Sequence, residues 1–374
     1  MIKILYVLND SLHHAGTEAV VLNYWRNIDR KKIHIDFMLH TTEEEIKDNE
    51  IAEMLVANNS RIYCVTPRGV NVRKNKKDIL SVLEHNHYDV VHSHADCANY
   101  IILKYAKEAG VKIRISHSHS TAISIKKYTL KNQLLIMYLN YCKRKIKYVA
   151  TDLMACSKAA AEWLYHGYAD EAIIINNAID LDRYKFNPEM RKQIRRELKL
   201  ENRLVLGHIG RFSTQKNHKF LIQIFAEVCE RTDNASLLLV GDGEDKEDII
   251  NKVSELGLRD KVVFYGSTNQ VEKVMQAFDV FVFPSLWEGL SVALIEAQTN
   301  GLRCLVSDVD AVSTESSITK NVRRIPLGNP TIWAEEILHG DNARVLDADA
   351  IREAGYDIKY EAKKLEKIYL EKCK

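Results

Sequence analysis

Four residues stand out for the chemistry their types and spacing allow. They are the cations Arg211 and Lys216 and the carboxylates Glu288 and Glu296. Glu288 lies in Pro284-Ser285-Leu286-Trp287-Glu288-Gly289-Leu290-Ser291, directly after the apolar run Val280–Phe283. That run has the length and side-chain type of a buried parallel strand. Pro284 ends it, because proline has no N–H for the ladder. A helix is expected to start near Ser291 and stop at Asn300-Gly301. Backbone N–H groups near Leu290 and Ser291 would then attract an anion such as phosphate. Glu288 and Glu296 would accept hydrogen bonds from hydroxyls. Arg211 and Lys216 fall in the loop after another apolar run, 204–210. Arginine forks onto a phosphate and lysine adds a point charge, so the two can neutralise a diphosphate without a metal. Phosphate plus hydroxyls is the chemistry of a sugar nucleotide. Each feature alone also fits a solvated surface; the combination is what points to a site.

Further candidates sit at strand ends. In Val240-Gly241-Asp242-Gly243-Glu244 the glycines either admit a ligand's close approach or make a tight turn. Main-chain groups of Tyr265–Val271 are placed to meet a base. Gly16, before a helix opened by Thr17-Glu18, would let the backbone approach a ligand. Four histidines close two runs, His92 and His94 in one, His117 and His119 in the other. Asp96 is the carboxylate nearest them in sequence, and together they make no familiar metal motif. No metal is expected. His117 and His119 are the better site candidates by their strand-end placement.

The elements that must position these residues alternate. Strand-like runs at 2–8, 33–39, 61–65, 89–92, 111–116, 151–155 and 173–175 are separated by helical patterns. A second series begins at 204–210 and continues at 236–240, 262–265, 280–283 and 303–306. Alternation of this kind predicts doubly wound parallel sheets, and such sheets bind ligands beyond the carboxyl ends of their strands. The first βα turn lacks G-x-G-x-x-G, which disfavours a dehydrogenase. The reading is therefore α/β, with two Rossmann-like domains facing a cleft.

Composition narrows the class. A chain of 374 residues, 46% hydrophobic, supports two domains with real cores. A net charge of +2 argues against dedicated nucleic-acid binding. Seven scattered cysteines with no C-x-x-C pair indicate neither a zinc site nor a disulfide framework, which suits a reducing cytosol. No apolar run approaches the ~18 residues a bilayer span needs. Residues 109–151 carry no carboxylate before Asp152, and the basic, apolar stretch 126–147 is suited to an anionic membrane surface. The expected location is the cytoplasm; the stretch either meets the inner face of the plasma membrane or is a helix packed on the core with its basic residues in water.

Taken together, Gly210-Arg211 with Lys216-Asn217, Val240–Glu244, Phe283-Pro284-Ser285 with Glu288-Gly289-Leu290, and the E-x7-E pair Glu288 and Glu296 resemble the retaining glycosyltransferases of family 4. These have the GT-B fold, and the likeness is strongest to the EpsF-like enzymes of capsule and exopolysaccharide assembly. Asn176–Asp180 and Arg114–His119 fit as well. One departure is Ala15-Gly16, where the family often has Gly-Gly. The resemblance implies an acceptor-binding domain at 1–178 and a nucleotide-sugar-binding domain at 179–356, with a helix at 357–374 packing back on the first. Arg211 and Lys216 would bind the diphosphate, Glu296 the ribose hydroxyls, and Glu288 the donor sugar. Amides at Leu290 and Ser291 would hold phosphate, with Gly241 and Val271 completing the donor set and Gly16 closing it from the first domain. His119 would touch the donor sugar, with His117 the second choice. The donor would be a UDP-sugar and the acceptor a hydroxyl of a growing glycan, lipid-linked if the basic stretch meets membrane. No cofactor is expected. A UDP-sugar epimerase of the same fold and a non-catalytic scaffold subunit are the rival readings. An epimerase needs no acceptor, and a scaffold would be expected to lose Arg211, Lys216 or Glu288.

Overall fold

The computed structural model describes residues 1–9, 12, 16–122 and 129–374. The chain divides into two units, one of Met1–Ala178 with Ile358–Lys374, the other of Ile179–Asp357.

The first unit is built on seven strands: β1 (Ile2–Leu8), β2 (Ile33–Leu39), β3 (Ile62–Cys64), β4 (Val90–Ser93), β5 (Ile113–Ser118), β6 (Asp152–Ala155) and β7 (Ile173–Ile174). Their order is β3-β2-β1-β4-β5-β6-β7, and every pairing is parallel. The central strands are buried on both faces, which is why they read as continuous apolar runs rather than alternating ones. The strand order reverses between β1 and β4. Gly16 and the histidine-bearing ends of β4 and β5 therefore lie at the switch point, where this architecture binds ligands. The helix Ile358–Lys372 closes the unit. Its Ile358, Ala362, Leu365 and Tyr369 recur at helical spacing and join the cluster formed by Ile4, Val20, Val21 and Tyr24. Glu366 on the same helix pairs with Lys32 at 2.8 Å.

The second unit holds β8 (Leu204–Ile209), β9 (Ala235–Val240), β10 (Val262–Gly266), β11 (Val280–Phe283), β12 (Arg303–Ser307) and β13 (Val322–Ile325). Their order is β10-β9-β8-β11-β12-β13, again wholly parallel. Strand β13 was not anticipated from the sequence. It is an edge strand whose Arg323 and Arg324 interrupt the apolar run, and Arg324 reaches back to Asp308 at 3.1 Å. The helix Pro188–Glu197 starts with Asn187 capping the amides of Glu189 and Met190 and with proline in its first turn. Its Arg191 and Arg195 both pair with Asp279, ahead of β11. Here too the order reverses at the centre, between β8 and β11. The loops after those two strands carry Arg211 with Lys216 and Glu288.

Candidate active site

In the second unit, the loop after β8 and the loop after β11 are tied into one structure. The Gln215 side-chain amide donates to the Trp287 carbonyl at 2.9 Å, and the Leu286 amide donates to the Gln215 carbonyl at 2.8 Å. The Asn217 side chain donates to the Pro284 carbonyl at 3.2 Å. These contacts carry Lys216 onto Glu288, with Nζ to Oε1 at 2.6 Å. The Lys216 side chain is 16% exposed and that of Glu288 is 7% exposed, and the ammonium also sits 4.6 Å over the Phe283 ring. The Glu288 backbone is pinned from the other side. Its amide donates to Ala311 at 2.8 Å, and its carbonyl accepts from Ser313 at 3.0 Å. Lys216 occupies one carboxylate oxygen; a carboxylate keeps acceptor capacity on the other for a hydroxyl.

Arg211 is arranged differently. Its side chain is 70% exposed and its Nε donates to Glu244 at 3.0 Å. It is held in place from below. Gly241 (φ +138°) packs so closely that a Cβ there would lie 2.1 Å from the Gly210 carbonyl oxygen. The Phe212 amide donates to Asp242 at 2.9 Å, and the Asp245 amide to Phe212 at 3.0 Å. The close approach that Gly241 permits is thus made to the neighbouring Gly210-Arg211 turn.

The helix after β11 runs Val292–Thr299. Ser291 caps it, its hydroxyl accepting from the Leu294 amide at 3.4 Å. The first intrahelical bond is made by Ile295, so the amides before it form the anion-attracting end. Glu296 sits one turn in, beside Tyr184 and Arg183. Burial pushes its carboxyl up to about 7, against the opposing pull of the Tyr184 hydroxyl and the Arg183 charge. Arg183 in turn pairs with Glu272 at 2.8 Å. Val271 opens the short helix Val271–Val274 and packs, with Leu290, on the apolar cluster beneath.

In the first unit, Gly16 begins the helix Gly16–Asn27 at φ +64°, a conformation that favours glycine. Ala15, the departure from the family pattern, lies outside the described residues. The four histidines form a two-by-two block. His92 stacks on His94 and His117 on His119, each with centroids 4.2 Å apart. Across the strands, His92 Nε2 meets His117 Nδ1 at 3.1 Å and His94 Nδ1 meets His119 Nε2 at 2.9 Å. Burial drives all four below the ordinary imidazole range, His119 to about 4, so they are neutral near pH 7. Asp96 anchors the outer end, accepting from the His119 amide at 2.8 Å and the Ser120 hydroxyl at 2.7 Å. His117 is buried at 3% exposure, whereas His119, past the end of β5, is only partly covered. Ring nitrogens of His92, His94 and His117 lie within 4.8 Å of one another, close enough to hold a metal ion, although His92 spends both of its nitrogens on hydrogen bonds.

The second unit therefore brings together Arg211, Lys216, Gly241, Glu288, Leu290 and Ser291, with Glu296 on the same helix. The first brings together His117 and His119. Sequence reasoning missed Gln215 and Asn217 as loop ties, Tyr184 and Arg183 beside Glu296, and Tyr369 beside His92. Gln215 and Asn217 flank Lys216 and were within reach of a closer look at that loop. The others lie too far from their partners in sequence to leave a local signal. Residues 126–128 of the expected membrane-contact stretch lie outside the described residues. Among those described, no helix is long and apolar enough to cross a membrane.

Two protein-family models match the chain. A family model described as Glycosyltransferase Family 4 matches residues 14–183, and one described as Glycosyl transferases group 1 matches residues 190–323. The fold is that of the GT-B glycosyltransferases, and the two glycosyltransferase models match successive parts of the chain. It is similar in particular to the putative glycosyltransferase EpsF of Bacillus subtilis, at 29% identity over 98% of this chain and 96% of that one. It is 30% identical to the UDP-Gal:alpha-D-GlcNAc-diphosphoundecaprenol alpha-1,3-galactosyltransferase of Escherichia coli over 65% of this chain and 64% of that one. Among solved structures, Anabaena Alr3699/HepE in complex with UDP-glucose superposes with a TM-score of 0.78 at 18% identity, covering 99% of this chain and 100% of that one. The chain is thus a transferase.

Proposed function

We propose that this transferase moves a sugar from a UDP-sugar to a hydroxyl of a growing glycan, with retention of configuration, in capsule or exopolysaccharide assembly. The observation that carries the reading is the Lys216–Glu288 pair, at 2.6 Å, beside the capped start of the helix Val292–Thr299. It sets a cation, a hydroxyl acceptor and free helix amides side by side at a sheet switch point. The bound UDP-glucose of the Anabaena protein and the UDP-Gal in the E. coli relative's name support a UDP-sugar. That relative's name and that of a Campylobacter jejuni relative specify α linkages and diphospho-undecaprenol acceptors, which supports retention and a lipid-linked glycan.

In this reading Arg211, Lys216 and the amides near Leu290 and Ser291 hold the diphosphate. Glu296 takes the ribose hydroxyls, Glu288 the sugar, and Gly241 and Val271 line the donor. Gly16, His119 and, behind it, His117 keep the donor-sugar role that the family resemblance implies. The bond from C1 to the diphosphate breaks while the acceptor oxygen bonds C1 on the same face. The acceptor proton passes to the departing phosphate oxygen. Charge growing on that phosphate is met by preorganised cations and dipoles, usually the largest catalytic term. No metal or cofactor is required. Glu288, already paired with Lys216, binds rather than attacks; a trapped glycosyl-enzyme on Glu288 would overturn this step.

Membrane contact is part of the proposal. Leu130, Leu134, Leu135, Met137 and Tyr141 are exposed on the helix Leu130–Lys145, whose last turn is Lys143-Arg144-Lys145. Beside it, Tyr100, Lys104, Lys107, Tyr141, Lys145 and Tyr148 line a cavity of about 500 Å³. An apolar face ending in cations is suited to an anionic surface.

The deciding experiment is calorimetry with UDP, GDP and a panel of their sugars on wild type and Arg211→Ala, followed by NMR of the product anomer. One UDP-sugar bound by wild type and lost in the variant, giving an α-linked product, is expected. Binding without turnover in the presence of any glycan acceptor, or turnover of donor to its epimer, would sink the reading.

A further inference from the structure

The histidine block continues inward. His92 Nδ1 lies 2.6 Å from the Tyr369 hydroxyl, which lies 2.9 Å from the Tyr6 hydroxyl. A hydrogen-bonded chain thus runs Tyr6, Tyr369, His92, His117, from β1 through the closing helix Ile358–Lys372 and β4 to β5. Its four members are at most 3% exposed, and the two imidazoles are neutral. Each member then has one proton and one lone pair to place along the chain.

Such a chain can run in two directions. In one, Tyr6 donates to Tyr369, Tyr369 to His92 Nδ1, and the His92 Nε2–H to His117 Nδ1. The proton on His117 is then on Nε2, and it alone is left without an acceptor. In the other, the Tyr6 hydroxyl proton is stranded at one end and a bare His117 Nε2 at the other. Nε2 of His117 is buried without a hydrogen-bond partner among the described residues. Buried unpaired polar groups are penalised, so the direction that leaves one is favoured over the direction that leaves two.

We propose that Tyr369 is a positioning residue for the histidine block: its hydroxyl, donated to His92, fixes His117 as the Nε2–H tautomer behind His119. Its consequence for turnover rests on the assignment of His117 and His119 to the donor sugar; the tautomer itself does not. His119 stacks 4.2 Å from His117, so the ring it rests on has a fixed dipole and a fixed orientation.

The test is nitrogen NMR of the full chain labelled at its histidines. In wild type, His92 and His117 are expected with bare Nδ1 and protonated Nε2; the opposite tautomer at His117 would overturn the proposal without any variant. Tyr369→Phe removes the donor to His92 and should move both residues' ring signals. Tyr6→Phe leaves the Tyr369 hydroxyl free to donate and should leave those signals in place. Each variant deletes one hydroxyl from the same core, so a role in packing alone would move the signals equally, and that result would overturn the proposal. With Tyr369→Phe, kcat should fall about tenfold with the donor KM unchanged, as expected for misplacement rather than lost binding. Shifted histidine signals with unchanged kcat would support the chain and remove the histidines from the reaction. One equivalent of Zn²⁺ taken up through the ring nitrogens of His92 and His117 would overturn it, because a metal needs the lone pairs the chain uses.

Discussion

At the residue scale, the two cations differ in what surrounds them. Lys216 and Glu288 are both nearly covered, so Lys216→Met leaves a buried carboxylate without its partner. Breaking such a pair costs about 3 kcal/mol, and the expected result is a lower melting temperature together with lost donor binding. Arg211 stands in solvent. Arg211→Ala should weaken UDP binding by about 10- to 100-fold, the worth of a charged hydrogen bond, with an unchanged melt. A melt lowered equally in both would show that the burial argument fails. Glu296 carries a pH dependence of known sign. Its folded value of about 7 lies above the ordinary carboxyl range. The folded state therefore binds this proton more tightly, and the group's stabilising contribution is lost as pH rises towards 7. The ionised form is the acceptor for ribose hydroxyls, so UDP affinity should rise from pH 6 to pH 8. Because UDP itself titrates near this range, the informative quantity is the difference from Glu296→Gln, which should keep only the ligand's own pH dependence.

At the scale of elements, the turn after β9 supports the turn after β8. Gly241→Ala places a methyl 2.1 Å from the Gly210 carbonyl oxygen on a backbone that disfavours a side chain. A loss of about 2–4 kcal/mol is expected in urea melts, with donor binding reduced because Arg211 follows Gly210. The strand-end histidines act in the opposite pH sense to Glu296. The four of the block, with His208 and His218, are held neutral by burial. The unfolded chain takes up protons on them near pH 6.5, so stability is lost as pH falls below that value, by about 1.4 kcal/mol per pH unit for each. A stability equal at pH 7 and pH 5.5 would contradict this. The same elements show what a sequence displays. Buried parallel strands announce themselves as apolar runs, and two doubly wound sheets were legible from them. The Pro284–Ser291 turn and its helix were legible because strand end, turn and cap are contiguous. Strand β13 was not, since two arginines on an edge strand look like a surface loop. Nor were the contacts of Glu296 with Tyr184 or His92 with Tyr369, which are made by folding alone and leave no periodicity behind.

At the scale of the molecule, the exposed apolar face and the cations of the helix Leu130–Lys145 should decide where the protein works. Replacing Lys143, Arg144 and Lys145 by glutamate is expected to release it from vesicles rich in anionic lipid while leaving turnover of a soluble acceptor intact. Retention on the vesicles would end the membrane proposal. The closing helix has a different part. It is remote in sequence from everything it touches, yet Leu365 is buried in the first unit's main cluster. Leu365→Ala should cost about 2–5 kcal/mol, readable as a lower melting temperature. That arrangement also sets an order of events on the ribosome. Residues Ile179–Asp357 are synthesised before Ile358–Lys372, which the first unit needs to close its core. The half of the protein that begins first is therefore finished last. Until then its nascent surface, including the face that Tyr369 will cover, is open to chaperones and to other chains.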